Sequence, residues 1–248
     1  MLKQNTTQTQ TQSINNQSCV LRIFSSNVRG IVNNWDAIKQ IKLDQYDILL
    51  FNEIWQIRDF EKLIIPNFIL ANLFQRTNNR GGGTLIFIRE NIEFKKFVSP
   101  INDGIIETTS IIIDNNVFVA LYRPPSGNKL QFTDELIDWI ESLGNKNIFI
   151  SGDFNINFLS NEKTYFEKIK SATNLNIGIS HITRIASNSC IDNVLTNLNG
   201  SHTVSLICIA DHQGLISKVN VKKLAKKEIK KFTYREMKEK TGIHSPRT

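Results

Sequence analysis

The sequence predicts an α/β fold built on a mixed sheet, or on two sheets packed face to face, with helices outside. Three observations carry this prediction. Apolar runs of strand length recur along the chain and outnumber the helical stretches. Some of these runs form hairpins, and others are separated by amphipathic segments able to serve as crossover helices. Hydrophobic residues are 40% of the 248, enough for one large core.

The elements follow in chain order. Residues 1–18 are rich in Gln, Asn, Thr and Ser, cannot bury enough surface to fold, and read as a disordered polar leader. Residues 19–24 are a buried strand ending at Ser25-Ser26-Asn27. Trp35, Ile38, Ile41 and Leu43 are spaced for one face of a helix of two to three turns. A second buried strand, 46–51, ends at Asn52-Glu53, and an amphipathic stretch covers 57–65. Arg80-Gly81-Gly82-Gly83 is a turn into a strand over 84–88. Residues 105–113 and 117–122 flank Asp114-Asn115-Asn116 as a hairpin. Arg123-Pro124-Pro125-Ser126-Gly127 is a loop, because two prolines remove two backbone donors. Helical spacing marks 130–142, a short strand 147–150 runs into the turn Ser151-Gly152-Asp153-Phe154-Asn155, and a helix follows over 162–173. Strands over 190–195, 203–209 and 215–221 complete a body spanning 19–221, and 222–248 is a basic helical tail. There is no internal repeat.

Composition narrows the function. The net charge is +7, yet from Lys218 onward eleven Lys/Arg face three Asp/Glu, a net of +8. Residues 1–217 therefore carry −1. A near-neutral body needs a local basic rim to hold a polyanion. No run approaches the roughly 18 apolar residues of a membrane span, and there is no signal-peptide pattern. Three cysteines without metal-ligand spacing (Cys19, Cys190, Cys208) read as reduced thiols of an intracellular protein, filling apolar space.

The polar residues that matter share one position. Asn27, Glu53, Tyr122, Asp153, Asn155, Asp192, Asp211 and His212 all fall at or beside the end of an expected strand. Ends of adjacent strands converge on one rim. The set is rich in hard oxygen ligands and lacks thiolate, which suits Mg²⁺, with Mn²⁺ as a substitute. A histidine beside carboxylates suits proton transfer or phosphate stabilisation. Each residue alone has a plainer explanation: a solvated loop acid for Glu53, an Asx-turn for Asp153, a packed aromatic for Tyr122. Asp192 is less ordinary, because it interrupts an apolar segment and a buried carboxylate needs a partner, for which a histidine serves.

These residues, in this order, resemble the endonuclease/exonuclease/phosphatase superfamily, and within it the apurinic-like endonuclease domain of non-LTR (LINE-type) retrotransposons. The resemblance is carried by Ser26-Asn27-Val28-Arg29-Gly30, Asp47–Trp55, Arg80-Gly81-Gly82-Gly83, Leu121-Tyr122-Arg123-Pro124-Pro125-Ser126, Ser151-Gly152-Asp153-Phe154-Asn155, Thr183-Arg184, Ser189-Cys190-Ile191-Asp192-Asn193 and Ala210-Asp211-His212. It implies a four-layered α/β/β/α sandwich, two mixed and mostly antiparallel sheets face to face with helices outside. It implies that Asn27, Glu53 and Asp211 hold metal and phosphate. Asp153 would position or deprotonate the attacking water and Asn155 orient it. His212, held by Asp192, would contact phosphate or act as base, and Tyr122 would bond a phosphate oxygen. Arg80, Arg123, Arg184 and Asn193 are the expected substrate contacts.

The implied reaction is hydrolysis of a DNA phosphodiester to 3′-hydroxyl and 5′-phosphate ends, the 3′ end priming reverse transcription. DNA is then the partner, with no membrane, a monomer as the working unit, a reverse transcriptase module in the parent element, and the nucleus as the location. The chain is too short for a whole element and has no Tyr-x-Asp-Asp-like motif, so it reads as a detached domain, a truncated copy or a domesticated gene. Arg29 stands where apurinic endonucleases usually carry an acid, and Pro125 where they often carry Asn, which argues against abasic-site repair. Two other functions fit the same residues: a phosphatase or phosphodiesterase acting on another substrate, and a non-catalytic nucleic-acid-binding remnant.

Overall fold

The computed structural model describes residues 18–77, 81–102, 104–222 and 224. The expected leader before Ser18, Arg80 and the basic tail past Leu224 lie outside the described residues. Ser18 itself opens the first strand.

Twelve strands form two six-stranded sheets. The first has the order β11 (Gly200–Ile209), β12 (His212–Lys222), β1 (Ser18–Asn27), β2 (Ile48–Asn52), β4 (Thr84–Arg89), β3 (Phe68–Phe74). The second has the order β5 (Lys95–Phe97), β6 (Glu107–Ile113), β7 (Asn116–Tyr122), β8 (Asn147–Asp153), β10 (Asp192–Thr196), β9 (Asn176–Ile177). Each sheet has one parallel pair at its centre, β1 with β2 and β7 with β8, and is otherwise antiparallel. A parallel pair needs a crossover. Helix α1 (Trp35–Lys39) lies in the first crossover and α2 (Lys129–Ser142) is the second, while α3 (Lys163–Thr173) links β8 to β9.

Side-chain alternation sorts the strands into layers. Ile48 and Leu50 of β2 face the middle of the sandwich, where Ile23, Ile86 and Ile88 meet Phe118, Phe149 and Val194 of the second sheet. Leu49 and Phe51 face outward, onto Ile38, Leu43, Ile57 and Leu63. On the far side Val117, Val119 and Leu121 pack beneath Phe132, Leu136 and Ile140 of α2 and Phe166 and Ile169 of α3. Strands buried on both faces read as unbroken apolar runs, which is why β2 and β7 are conspicuous in the sequence. The result is a four-layered sandwich, as expected.

The differences are local. The helix expected near Trp35 is one α-helical turn followed by a 3-10 turn at Leu43–Gln45, and the 57–65 stretch holds only the 3-10 turn Phe60–Lys62. Their apolar residues are buried as the spacing predicts, but in irregular backbone. Cys190 is buried, Cys19 partly so, and Cys208 is exposed, so the expectation of buried thiols fails at Cys208. Among the described residues no helix is long and apolar enough to cross a membrane.

Candidate active site

The two parallel pairs end at the same edge of the sandwich, and the antiparallel β6, β10 and β12 begin there. Asn27 pairs with Asn52 at the end of the first pair, and Tyr122 with Asp153 at the end of the second. Asp192 opens β10 opposite Asp153, and His212 opens β12. The apolar interlayer thus gives way to a polar seam whose hydrogen bonds join one sheet to the other. Asn27 Nδ2 donates to Asp153 Oδ2 at 2.9 Å. Tyr122 Oη donates to Glu53 Oε1 at 2.8 Å. Asp192 Oδ2 lies 2.9 Å from His212 Nδ1. Asn52, in the amide orientation that satisfies both its atoms, donates to Ser26 O at 3.1 Å and accepts Asp153 N–H at 3.2 Å.

Burial grades the seam from floor to rim. Asp153, Asp192 and His212 are 1%, 3% and 3% exposed. The side chains of Glu53 and Asp211 are 18% and 24% exposed. At the floor, burial pushes the Asp153 carboxyl up, and the Asp192 charge adds to it, to about 7. His212, the Asn155 backbone N–H at 2.8 Å and Asn27 oppose that rise. Burial works against a charged His212, but Asp192, then Asp153 and Asp211, outweigh it and raise the imidazole to about 9. The bond to Asp192 occupies Nδ1 and leaves Nε2 facing the rim, 3.8 Å from Asp211 Oδ1. Burial, then Glu53, raises Tyr122, so it stays a neutral phenol donating to Glu53. Burial raises Asp211 as well, but hydrogen bonds from Arg184 and Arg29 outweigh it and hold the carboxyl below the ordinary range.

Backbone conformation sets these side chains. Nine non-glycine residues among those described have positive φ, and five are Asn or Asp, which tolerate it. The other four, Arg29, Glu53, Trp55 and Ala210, all lie beside the seam. Left-handed backbone at Arg, Glu, Trp and Ala is uncommon and persists where surroundings over-determine it. Here Val28 N–H donates to Asn52 O, Gly30 N–H to Glu53 O, and Trp55 N–H to Gly82 O. These bonds fix the chain just past β1 and β2.

Two expected substrate contacts prove to be internal. Arg123 is fully buried, and its guanidinium donates to the carbonyls of Phe154 at 2.6 Å, Gly127 at 2.6 Å and Asn155 at 2.7 Å. It clamps the Gly-Asp-Phe-Asn turn from below and cannot reach a phosphate. Asn193 is also fully buried, donating to Ile179 O at 2.9 Å and accepting Ile179 N–H at 3.1 Å. Asn193 follows Asp192 on β10, where alternation turns it inward, and Arg123 follows Tyr122 just past the end of β7. Arg184 does reach the rim, where its Nε and Nη2 bind Asp211 Oδ2 at 2.7 and 2.6 Å. Asn155 Nδ2 donates to Arg123 O at 2.8 Å and sits 3.2 Å from Asp153 Oδ2.

Three supporting residues are given no site role by the sequence. Asn52 and Thr183 hold the backbone of Asp153 and of Asp192, the latter by Thr183 Oγ1 accepting Asp192 N–H at 3.1 Å. Glu107 is fully buried, pairs with Tyr122 in the ladder, and binds Arg76 Nε and the Gly83 N–H, both at 2.6 Å. A methyl group on Gly82 would lie 2.5 Å from Glu107 Oε2, so the glycines of the Arg-Gly-Gly-Gly turn admit that pair. A buried glutamate at a strand start, like Asp192, is the signal that would have found Glu107.

The donor set is carboxylate and amide oxygen with one imidazole, the chemistry that suits a hard divalent ion. Ligand atoms of Asp153, Asp192 and His212 lie within 4.8 Å of one another. Glu53 gives one oxygen to Tyr122, and its other, Oε2, lies 3.9 Å from Arg29 Nε, beyond hydrogen-bond reach. Asn27 Oδ1 accepts Arg29 N–H at 3.0 Å and keeps a second lone pair. By donor chemistry, Glu53 Oε2 and Asn27 Oδ1 fit such an ion at the rim.

Comparison with known proteins agrees with this geometry. No curated protein matches the sequence. The fold is similar to the endonuclease domain of TRAS1, a telomere-specific non-LTR retrotransposon, at 13% identity and a TM-score of 0.64, covering 81% of this chain and 98% of that one. It is similar to an endonuclease/exonuclease/phosphatase family protein of Bacteroides thetaiotaomicron at 16% identity and 0.62, covering 82% and 98%. It is also similar to the 3′-5′ exonuclease NExo of Neisseria meningitidis at 14% identity and 0.59, covering 80% and 99%. At these identities the likeness shows the fold. The family model described as "Endonuclease/Exonuclease/phosphatase family" matches residues 24–212, from β1 to His212. With every seam residue inside that span, the chain belongs to the endonuclease/exonuclease/phosphatase family.

Proposed function

We propose that the chain is a Mg²⁺-dependent DNA endonuclease of the retrotransposon target-site type, hydrolysing one phosphodiester bond to leave 3′-hydroxyl and 5′-phosphate ends. The observation that carries this reading is the seam, where a buried acid of raised pKa adjoins an Asp–His pair beneath a carboxylate rim. Members of the family are metal-dependent hydrolases of phosphodiester bonds. DNA as the substrate draws support from two similar folds, the TRAS1 endonuclease domain and the Neisseria 3′ phosphatase bound to product DNA hairpin.

Glu53 and Asn27 Oδ1 would hold the ion, which when bound neutralises the phosphate and the leaving oxygen, and Asp211 would orient the phosphate through the two arginines that bind it. Asp153 takes the proton of the attacking water. Its proton affinity lies near the operating pH, and Asn27 and Asn155 hold its carboxylate in place. His212 remains protonated near neutral pH and donates from Nε2 to a phosphate oxygen, with Asp192 fixing the ring. Tyr122 aims Glu53 through its phenol hydrogen bond. Asn155 orients the water, and Arg184 adds positive charge at the rim. In this reading the working unit is a monomer acting in the nucleus, and a reverse transcriptase module uses the new 3′ end.

The test is nicking of supercoiled plasmid with Mg²⁺. Glu53→Ala, Asp153→Ala and His212→Ala are each expected to lower the rate by about 10² or more. If all three nick as well as the unaltered chain, the assignment is wrong. Release of phosphate from monoesters without nicking would move the function to a phosphatase.

A further inference from the structure

Arg29 continues directly from β1, and β1 lies between β12 and β2 in its sheet. The rim carboxylates come from those two neighbours, Glu53 just past β2 and Asp211 just before β12. Arg29 therefore emerges between them. Its Nη1 donates to Asp211 Oδ1 at 2.9 Å, and its Nε lies 3.9 Å from Glu53 Oε2. The backbone is built for this placement. Asn27 Oδ1 accepts the Arg29 N–H, φ is +40° at Arg29, and Gly30 continues at +91°. Gly30 also packs on the Trp55 ring, where a methyl group would come within 2.6 Å of Cε3. Arg184 occupies the other oxygen of Asp211, so that carboxylate is held by two guanidinium groups.

A carboxylate so engaged is a poor ligand for an added ion. A guanidinium is always charged, and its planar fork matches a carboxylate. A divalent ion bridging Glu53 to Asp211 would have to displace it, and Mg²⁺ sheds its own water reluctantly. Glu53 Oε2 is the rim oxygen left open to a metal.

We infer that Arg29 is a built-in cation standing in for a second divalent ion, so that the site takes one ion, at Glu53, while the Asp211 side is permanently occupied by arginine. This rests on the metal-dependent reading above. Arg29 is thus a residue that sets the stoichiometry and affinity of metal binding, and it offers its remaining donors to substrate phosphate.

The test measures binding directly, without turnover. Metal-free protein is titrated with Mn²⁺ by calorimetry, and the bound ion is read by electron paramagnetic resonance. The unaltered chain and Arg29→Lys are expected to bind one ion. Arg29→Asp is expected to bind two, with spin coupling between them. Aspartate tolerates the left-handed backbone at this position, so the variant keeps its local conformation. Thermal melts of each metal-free chain check the fold, and Arg29→Ala, expected to bind its first ion at least threefold more tightly, provides a second measure. One ion in every variant at unchanged affinity would overturn the inference and leave the metal reading standing, as would two ions in the unaltered chain. No binding by any chain would overturn the metal reading, and this inference with it.

Discussion

Asp153 and His212 bind their protons more tightly in the folded chain than out of it. Their pKa values of about 7 and about 9 stand above the ordinary ~3.9 and ~6.5 of these side chains. The folded state therefore holds more protons than the unfolded state between those limits, and stability falls as pH rises through them. For His212 the contribution is full below about pH 6.5 and is lost through about pH 9. Melting temperature of the metal-free protein is expected to drop over that window, and His212→Gln is expected to remove that part of the drop. A melting curve that rises from pH 6.5 to 9 in the unaltered chain, or a slope untouched by the substitution, would contradict the Asp192–His212 pairing as its cause. The same scale separates residues that reach the rim from those that support it. Arg123 adjoins Tyr122 in sequence, but its three bonds to backbone carbonyls make it a structural clamp, whereas Arg184 ends on the rim.

At the scale of elements, the site depends on how closely β7 and β8 approach. Gly152 of the Gly-Asp-Phe-Asn turn faces Leu121 across the parallel pair, and a methyl group there would sit 1.9 Å from the Leu121 carbonyl oxygen. That oxygen is backbone and cannot swing aside, so the strands must part where Tyr122 pairs with Asp153. Gly152→Ala is expected to lower stability by about 3 kcal/mol, the upper end of the usual overpacking range, as measured by urea unfolding. An effect below about 0.5 kcal/mol, the range of an ordinary surface change, would show that the strands adjust freely. The glycine is thus a packing requirement as well as a turn signal, which the sequence by itself leaves open.

Over the whole molecule, the proposed catalysis and the stability share the seam. Hydrogen bonds from Asn27, Tyr122 and His212 cross from one sheet to the other, so the active edge exists only when both sheets are packed. DNA capture, under the proposed function, is a separate matter, because residues 1–217 carry −1 while the chain from Lys218 carries +8. Counterion release makes the charge on the DNA-facing surface visible as salt dependence. A chain ending at Leu224 is expected to nick at low salt at an unchanged maximal rate. The slope of log affinity against log salt is expected to fall by about 0.9 for each phosphate that the shortened chain no longer neutralises. An unchanged slope would assign DNA capture to the arginines of the body alone.

The sequence by itself determined the layered α/β class and most of the long strands, with β3 missed, and it singled out the polar residues at the strand ends. Buried strands leave continuous apolar runs, and the polar residues at their ends stand out against them. Asp192 was legible for the same reason: an acid inside an apolar segment needs a partner, and His212 Nδ1 is 2.9 Å away. Short edge strands such as β5 and β9 were not legible, because a partly exposed strand of two or three residues leaves no pattern. Tertiary structure alone decided which polar residues face the seam and which serve the interior. Arg123 and Asn193 look as available as Arg184 in the sequence, and Asn52 and Glu107 look ordinary. Strand alternation turns Asn193 inward, three backbone carbonyls draw Arg123 in, and strand register brings Asn52 and Glu107 beneath the site. Only the packing of β1 between β2 and β12 sets Arg29 between Glu53 and Asp211, because residues 24 and 182 positions apart meet only when three strands lie side by side.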